Sequence, residues 1–428
     1  MKIWNKNIKT TNSAIDEFLS GEDIILDQEI FLYDIEASIA HAEELKAINI
    51  LTNAEFNKMS LALKKLAKLF QANKFKLTKK YEDCHSAIED YLIKELGDLG
   101  KKIHTGRSRN DQVLVAMRLY ARDHLDNIQS LNLKIAKALL NKASQHSSDV
   151  MPGYTHLQRA MPSTWGLWFG AFAESFMDNA ELLASTQSWM NLNPLGTAAG
   201  YGVNLPIKRD ISTKKLKFKR KQLNSLYVQN SRGKFELELL SALKQPMLDL
   251  RKFSWDISIF TTQEFNLLSM GSQYLTGSSI MPNKSNPDVI EVMRASYAVI
   301  AGHYSELENL MSLPSGYHRD LQLTKRSLIH SLHSASQTLA LLPDLIKSLK
   351  INKSKSRDLI DENMRMTDQA YDLVQSGIPF RDAYMSIKTN QESSLKPNKK
   401  SKLKSSSGSP DNLELKVLNS RLRKLLKP

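Results

Sequence analysis

Residues 114–139 read LVAMRLYARDHLDNIQSLNLKIAKAL. Leu114, Met117, Ala121, Leu125, Ile128, Leu131, Ile135 and Leu139 recur there at alternating steps of three and four, so they line one face of a long helix. A helix of that length buries its stripe against others of similar length. Four more such runs follow: Thr164 to Met190, opened by Pro162 at a position where a helix tolerates it; Phe235 to Leu268, with Pro246 as a kink; Pro287 to Met311, capped by Asn286; and Leu321 to Leu349, kinked near Pro343. Five long helices joined by polar connections predict an all-α chain built on a central bundle. The expected division is an N-terminal helical domain at 1–103, the bundle at 104–350, a small helical domain at 351–390 and a basic low-complexity tail at 391–428.

Composition agrees with this architecture. The chain has 428 residues with 17 Gly and 13 Pro, against the ~30 and ~21 expected at ordinary usage, so turns are scarce and elements long. No window approaches the ~18 apolar residues of a membrane span, the start MKIWNKNIKTTN does not read as a signal peptide, and Cys84 is the single cysteine. These features point to a reducing cytoplasm. The formal charge of +14 is concentrated in two places. Lys208 to Lys221 hold eight Lys or Arg against one Asp, and Ser386 to Pro428 hold eleven against three acids. The rest of the chain is within one charge of neutral, which argues for a mobile basic loop and a basic tail on a neutral body. Nucleic acid is then at most a secondary partner. Leu413 to Leu426 could form a short basic amphipathic helix.

Three connections concentrate polar and special-geometry residues where long helices end: HTGRSRNDQ at 104–112, GYTHLQ at 153–158 and TGSSIMPNKSNP at 276–287. The first places Arg107, Ser108, Arg109 and Asn110 at a helix start, whose free N–H groups favour an anion; the ordinary alternative is a capped, solvated helix end. In the second, His156 can exchange protons near neutral pH between Thr155 and Gln158, or serve structurally. The third sets the Ser278 hydroxyl beside the point charge of Lys284 and a helix start. That combination suits abstraction of a proton next to a carboxylate, although a polar loop before a helix reads the same way. Glu291, one turn on, could orient a histidine or be a surface carboxylate. With no HExxH, GxSxG, Walker A, paired CxxC or dinucleotide fingerprint, zinc, nucleotide and hydride chemistry lack their parts. Acid/base chemistry without metal or cofactor is what is left.

On the residues GSSIMPNKSNP at 277–287 the chain resembles the fumarase/aspartase superfamily, and on HTGRSRNDQ it resembles the argininosuccinate lyases within it. GYTHLQRA at 153–160, LPSGYHRDLQLTK at 313–325 and GIPFRDAY at 377–384 are similar to further segments of that family. The resemblance implies a homotetramer whose bundles form a twenty-helix core, with each active site shared among three subunits. It implies reversible anti elimination of fumarate from argininosuccinate, leaving arginine, with no metal or cofactor. In that reading Ser278 is the general base, Lys284 and Asn286 hold the carboxylate that gains charge, and His156, with Thr155 beside it and Glu291 behind it, helps protonate the leaving nitrogen. Ser108, Arg109, Asn110 and Gln158 fall at substrate-binding positions. Tyr317, Gln322 and Lys325 match residues that hold the amino-acid end, and His85 matches a substrate-side histidine. The family's WGGRF is replaced by Trp4-Asn-Lys-Asn, and its DAVSDRD stretch by Tyr227 to Gly233, leaving Arg232 as candidate for the arginine there. The alternatives from the same resemblance are a sister enzyme such as adenylosuccinate lyase and a non-catalytic, crystallin-like homologue.

Overall fold

The computed structural model describes residues 21–389 and 406–427, with Ile15, Phe18, Leu19 and Lys404 besides. The helices used below are α1 (Asp23–Ala47), α2 (Asn53–Gln71), α3 (Cys84–Leu96), α4 (Arg109–Gln145), α5 (Trp165–Met190), α6 (Lys234–Phe260), α7 (Asp288–Leu310), α8 (Thr324–Ser348), α9 (Met366–Gln375), α10 (Phe380–Thr389) and α11 (Leu415–Leu425). The strands are short: β1 (Val150–Thr155), β2 (Gln158–Thr164), β3 (Thr276–Gly277) and β4 (Ser285–Asn286). The five bundle helices α4 to α8 are the five read from sequence, with Pro246 inside α6 and Pro343 inside α8. Among the described residues no helix is long and apolar enough to cross a membrane.

The chain divides into two units, each assembled from three stretches: Met1–Ile128, Leu182–Lys244 and Ala298–Ser336 in the first, Gln129–Glu181, Gln245–Tyr297 and Gln337–Pro428 in the second. In the first unit α1 is the organising element. Its apolar residues Ala37 and Ala40 pack with Val115, Leu119, Leu195, Leu216 and Phe218, while Phe31 stacks on Phe75. The same helix also buries the ionisable groups Asp27, Asp34, His41 and Glu44, of which Asp27 accepts the Cys84 N–H and Asp34 bonds His85 of α3 and Gln112 of α4. Helices α2 and α3 each begin with reciprocal capping bonds, Thr52 with Glu55 and Asp83 with Ser86, which set their first residues sharply.

The basic stretch 208–221 is a correction to the sequence reading, because it is pinned rather than mobile. It folds as a short helix, Arg209–Lys215, and a two-residue strand, Arg220–Lys221. Leu216 and Phe218 are buried, and Arg209 donates to the carbonyls of Leu195, Gln222 and Asn193. Two apolar anchors and one half-buried guanidinium outweigh the repulsion of the remaining lysines, of which Lys215 pairs with Glu43 and Lys221 with Asp210.

In the second unit an aromatic cluster holds the bundle helices: Trp168 stacks on Phe253 at 5.3 Å and lies edge-on to Phe172 and Phe260, with its indole N–H donating to Asp256 at 2.8 Å. Pro162 does not open a helix as expected. It lies in β2, directly opposite Pro152 of β1, in a two-stranded sheet whose outer edges lose nothing to a residue without an N–H. Helix α5 starts at Trp165, with the Thr164 hydroxyl accepting from the Leu167 N–H. The run that began at Phe235 stops as a helix at Phe260, and Leu268 instead pairs with Ile351 in a small strand. The expected amphipathic end is present as α11, whose Leu422 is buried and whose Arg421 pairs with Asp178 and Glu181. Residues 390–403 and 405, which hold most of the low-complexity stretch, lie outside the described residues.

Candidate active site

The first unit contains a cavity of about 240 Å³ lined by six of the residues singled out from sequence: His85, Arg109, Asn110, Tyr317, Gln322 and Lys325. They come from three places. His85 is the second residue of α3, fixed by the Asp83 cap; Arg109 and Asn110 open α4; Tyr317 and Gln322 arrive on the stretch leading into α8, and Lys325 is the second residue of that helix. The start of α4 is set by Ser108, whose hydroxyl accepts from the Asn110 N–H at 3.2 Å while its own N–H donates to Asp111. The other Asp111 oxygen accepts from the N–H groups of Gly196, Thr197 and Ala198 at 2.9 to 3.1 Å. Ser108 therefore holds the helix end and is not among the lining residues. Arg107 turns away too, buried with its guanidinium on Ser38 at 2.8 Å.

Electrostatically the cavity is a set of paired charges. Arg109 donates to Asp83 at 2.8 Å and Glu82 at 3.2 Å. Lys325, buried, bridges Asp27 at 2.5 Å and Asp23 at 2.9 Å. His85 hydrogen-bonds Asp34 through Nδ1 at 2.6 Å, and Gln112 donates to the same carboxylate. Burial pushes Asp34 upward, but His85, Arg107 and Gln112 outweigh it and leave its carboxyl below the usual range. Burial likewise pulls His85 down, while Asp34, Asp83 and Asp27 raise it further, so its net shift is upward. Lys325 shifts up for the same reason, its two carboxylates exceeding the cost of burial. His104, which starts the motif, is pulled down to about 4 by burial and by Arg107 and Arg109, and stays neutral. Asp34, Cys84 and His85 each present one ligand-type atom within 4.8 Å of the others, but all three atoms are engaged in hydrogen bonds with one another.

Sequence reading missed the acidic half of this cavity. Asp23, Glu82 and Asp83 line it beside the cations Arg232 and Arg319. A signal was available: Asp23, Asp27 and Asp34 recur at steps of four and seven on α1, so they share one helix face with residues that are apolar or buried.

The remaining candidates belong to the second unit. Strands β1 and β2 pair with Thr155 opposite Gln158, leaving His156 and Leu157 as a two-residue tip. Both have positive φ, 54° and 58°, which is the twist that a tight hairpin needs and that side-chain-bearing residues resist. Gly153 on β1 is required by close approach, since a Cβ there would meet the Met161 carbonyl at 2.8 Å. Thr155, His156 and Gln158 are exposed at this tip. In the other segment β3 and β4 pair, Thr276 with Asn286 and Gly277 with Ser285, and close the loop 278–284. The Ser278 hydroxyl oxygen accepts two main-chain N–H groups, from Met281 at 3.0 Å and Ile280 at 3.3 Å. Lys284 is exposed, and its Nζ makes no ion pair or hydrogen bond among the described residues. Glu291, one turn into α7, is exposed and makes no hydrogen bond to His156, so the expected orienting contact is not formed within the chain.

A serine oxygen held by two N–H donors, an exposed lysine on the same loop and a cavity rich in paired charges form a pattern that can be compared with known proteins. The chain matches the family model described as lyase over residues 7–302. It is 47% identical to the argininosuccinate lyase of Xanthomonas campestris pv. campestris over 422 residues, covering 98% of each chain. It is also 47% identical to that of Xylella fastidiosa, covering 100% of this chain and 96% of the relative.

The chain belongs to the argininosuccinate lyase family.

Solved structures agree on the fold. An EDDS lyase in complex with formate superposes with a TM-score of 0.78 at 22% identity, covering 97% of this chain and 91% of that one. A class II fumarase from Schistosoma mansoni gives 0.73 at 14% identity, covering 85% and 88%. The fold is thus the helical one of the fumarase/aspartase superfamily. Within the argininosuccinate lyase family, the segments named from sequence distribute between the two units: 104–112 and 313–325 in the first, 153–160 and 277–287 in the second.

Proposed function

We propose that the chain catalyses the reversible anti elimination of argininosuccinate to L-arginine and fumarate, a carbon–nitrogen lyase reaction in the cytoplasm. The observation that carries this reading is the Ser278 oxygen facing two main-chain donors, because an alcohol becomes a base only where its anion is met by fixed positive charge. Ser278 takes the proton from the carbon β to the departing nitrogen. The electron pair left on that carbon is delocalised into the adjacent carboxylate, which Lys284 and Asn286 hold, and it then forms the double bond of fumarate as the carbon–nitrogen bond breaks. His156, flanked by Thr155 and Gln158 and assisted by Glu291, supplies the proton that the leaving guanidinium nitrogen takes up. Arg109 and Asn110 bind carboxylate at the start of α4, which Ser108 sets, His85 lies on the substrate side, and Tyr317, Gln322 and Lys325 hold the amino-acid end. The exposure of the His156 tip and of the 278–284 loop supports a homotetramer in which those segments of one subunit close over the cavity of another. The reaction needs no metal or coenzyme in this scheme.

The test is direct. Argininosuccinate incubated with the protein should release fumarate, followed by its ultraviolet absorbance. Turnover of adenylosuccinate instead would assign a sister reaction, and turnover of neither would leave a crystallin-like homologue.

A further inference from the structure

We propose that His41 is a positioning residue for the carboxylate-binding start of α4: its ring holds the Thr105 carbonyl and so fixes the turn that presents Arg109 and Asn110 to the cavity. This rests on the argininosuccinate reading and extends it to a residue that neither lines the cavity nor belongs to any of the motifs.

Helix α1 grips the 104–112 segment through Asp34, Ser38 and His41, whose spacing of four and three puts them on one face. Asp34 accepts from the Gln112 side chain at 2.8 Å, the Ser38 hydroxyl accepts from the Arg107 guanidinium at 2.8 Å, and His41 Nε2 lies 3.0 Å from the Thr105 carbonyl. The first two contacts hold side chains, whereas His41 holds the main chain of the turn. Among the described residues no main-chain N–H meets that carbonyl, so the imidazole is what satisfies it. The next residue, Gly106, is left-handed at φ 70° and brings no side chain to steady the turn. Downstream of it, Ser108 and Asp111 fix where α4 begins. The His41 bond anchors the upstream end of the same turn.

The ring is itself clamped. It is fully buried, and because a carbonyl can only accept, Nε2 must carry its hydrogen. Nδ1 makes no hydrogen bond and faces Oε2 of the buried Glu44 at 3.5 Å, an atom that has no hydrogen bond either. The other Glu44 oxygen accepts the Ser212 N–H at 3.3 Å. Neighbouring charges are spent elsewhere, Arg209 on three carbonyls and Asp111 on the N–H groups of Ser108 and the 196–198 loop. A ring set between a carbonyl and a carboxylate keeps one orientation, as a positioning contact requires. The competing role is a core histidine that does no more than accompany Glu44. The two roles depend on different ring nitrogens.

The experiment uses that difference on the full chain. His41→Gln puts an amide N–H where Nε2 stood and keeps the Thr105 bond; His41→Asn puts one where Nδ1 stood and keeps the Glu44 contact. Fumarate release from argininosuccinate, measured well below each variant's melting temperature, gives kcat and KM, and hydrogen–deuterium exchange of the 104–112 amides reports the turn without relying on turnover. His41→Gln should stay within about threefold of wild type in kcat/KM, with wild-type exchange. His41→Asn should lose about 10- to 100-fold, the scale of a small misplacement remote from the chemistry. Most of that loss should be a raised KM, because Arg109 and Asn110 hold a carboxylate before the reaction as well as during it, and exchange across 104–112 should quicken. Asparagine serving as well as glutamine, or leaving exchange unchanged, overturns the proposal. If His41→Asn does not fold, His41→Gln decides alone: near-wild-type turnover upholds the Thr105 contact, and a loss of more than about tenfold with that donor in place refutes it. Failure of the series while wild type cleaves argininosuccinate leaves the functional reading standing. A wild type inactive on argininosuccinate removes that reading, and the exchange comparison then decides whether His41 holds the turn.

Discussion

Replacing Lys284 by methionine isolates the largest electrostatic demand of the proposed reaction. An alcohol ionises far above neutral pH, so acting as a base near pH 7 carries a deficit of about 12 kcal/mol. Two preorganised N–H donors, those of Met281 and Ile280 on the Ser278 oxygen, supply roughly 3 to 4 kcal/mol each. About 4 to 6 kcal/mol is left, and the 278–284 loop offers one cation to provide it. A unit charge brought to ~4 Å at an effective dielectric of ~20 is worth about 4 kcal/mol. Lys284→Met, which keeps the length of the stem and removes the charge, should therefore lower kcat by about 10³. Because the charge is needed in the chemical step, by the serine anion and then by the substrate carboxylate that gains charge as the proton leaves, KM should change far less than kcat. Lys284 is exposed and supports no packing, so the melting temperature should stay within a few degrees. Initial rates of fumarate release across a substrate series read both parameters. A loss of less than tenfold in kcat, or a change confined to KM, would refute the electrostatic account of the serine base.

The shared-site arrangement predicts complementation: His156→Asn and Ser278→Ala proteins, each inactive, should regain activity when denatured and refolded together, while mixed tetramers verified by mass that stay inactive would exclude it. The Asp34–His85 pair predicts a stability profile with a defined sign. His85 is shifted above 6.5, so its contribution is complete below that pH and is lost as pH rises through the elevated value; Asp34 is shifted below 3.8, so its share is lost only as pH falls beneath that. Melting temperature should then decline on the alkaline side, and His85→Gln should flatten that slope; an unchanged slope counts against the pair. Asp111→Ala strips the acceptor from three loop N–H groups and the Ser108 cap, and chemical denaturation should show a loss of about 3 kcal/mol or more. A cost below about 1 kcal/mol would mean the loop finds other partners.

The bundle helices were legible because an apolar stripe at three and four spacing has few other readings, and Leu114 to Leu139 sits inside α4 as read. Pro162 was not, because a proline suits both the first turn of a helix and the open edge of a two-stranded sheet, and only the partner strand decides between them. The 208–221 stretch misled for another reason. Eight cations dominate its composition, yet Leu216 and Phe218, two residues in the run, anchor it. At the site, residues of conspicuous chemistry such as Arg109 and Lys325 could be named one at a time. Their acidic counterparts Asp23 and Asp27 could not, because at the first turn of a helix acids are expected for reasons of dipole alone. Which carboxylate meets which cation is a property of three segments brought together, and no one segment states it.

The hairpin tip has an implication for how this protein tolerates change. Turns of this shape are ordinarily built from Asn-Gly, and holding His156 and Leu157 left-handed costs on the order of 1 kcal/mol or more for each residue. A screen that rewards heat resistance alone would accordingly favour glycine or asparagine at 156 and 157, and would drift toward a sturdier chain that has surrendered its imidazole. Heat resistance and turnover therefore pull these two adjacent positions in opposite directions, and an engineer seeking a hardier catalyst should keep the tip fixed and look for gains elsewhere.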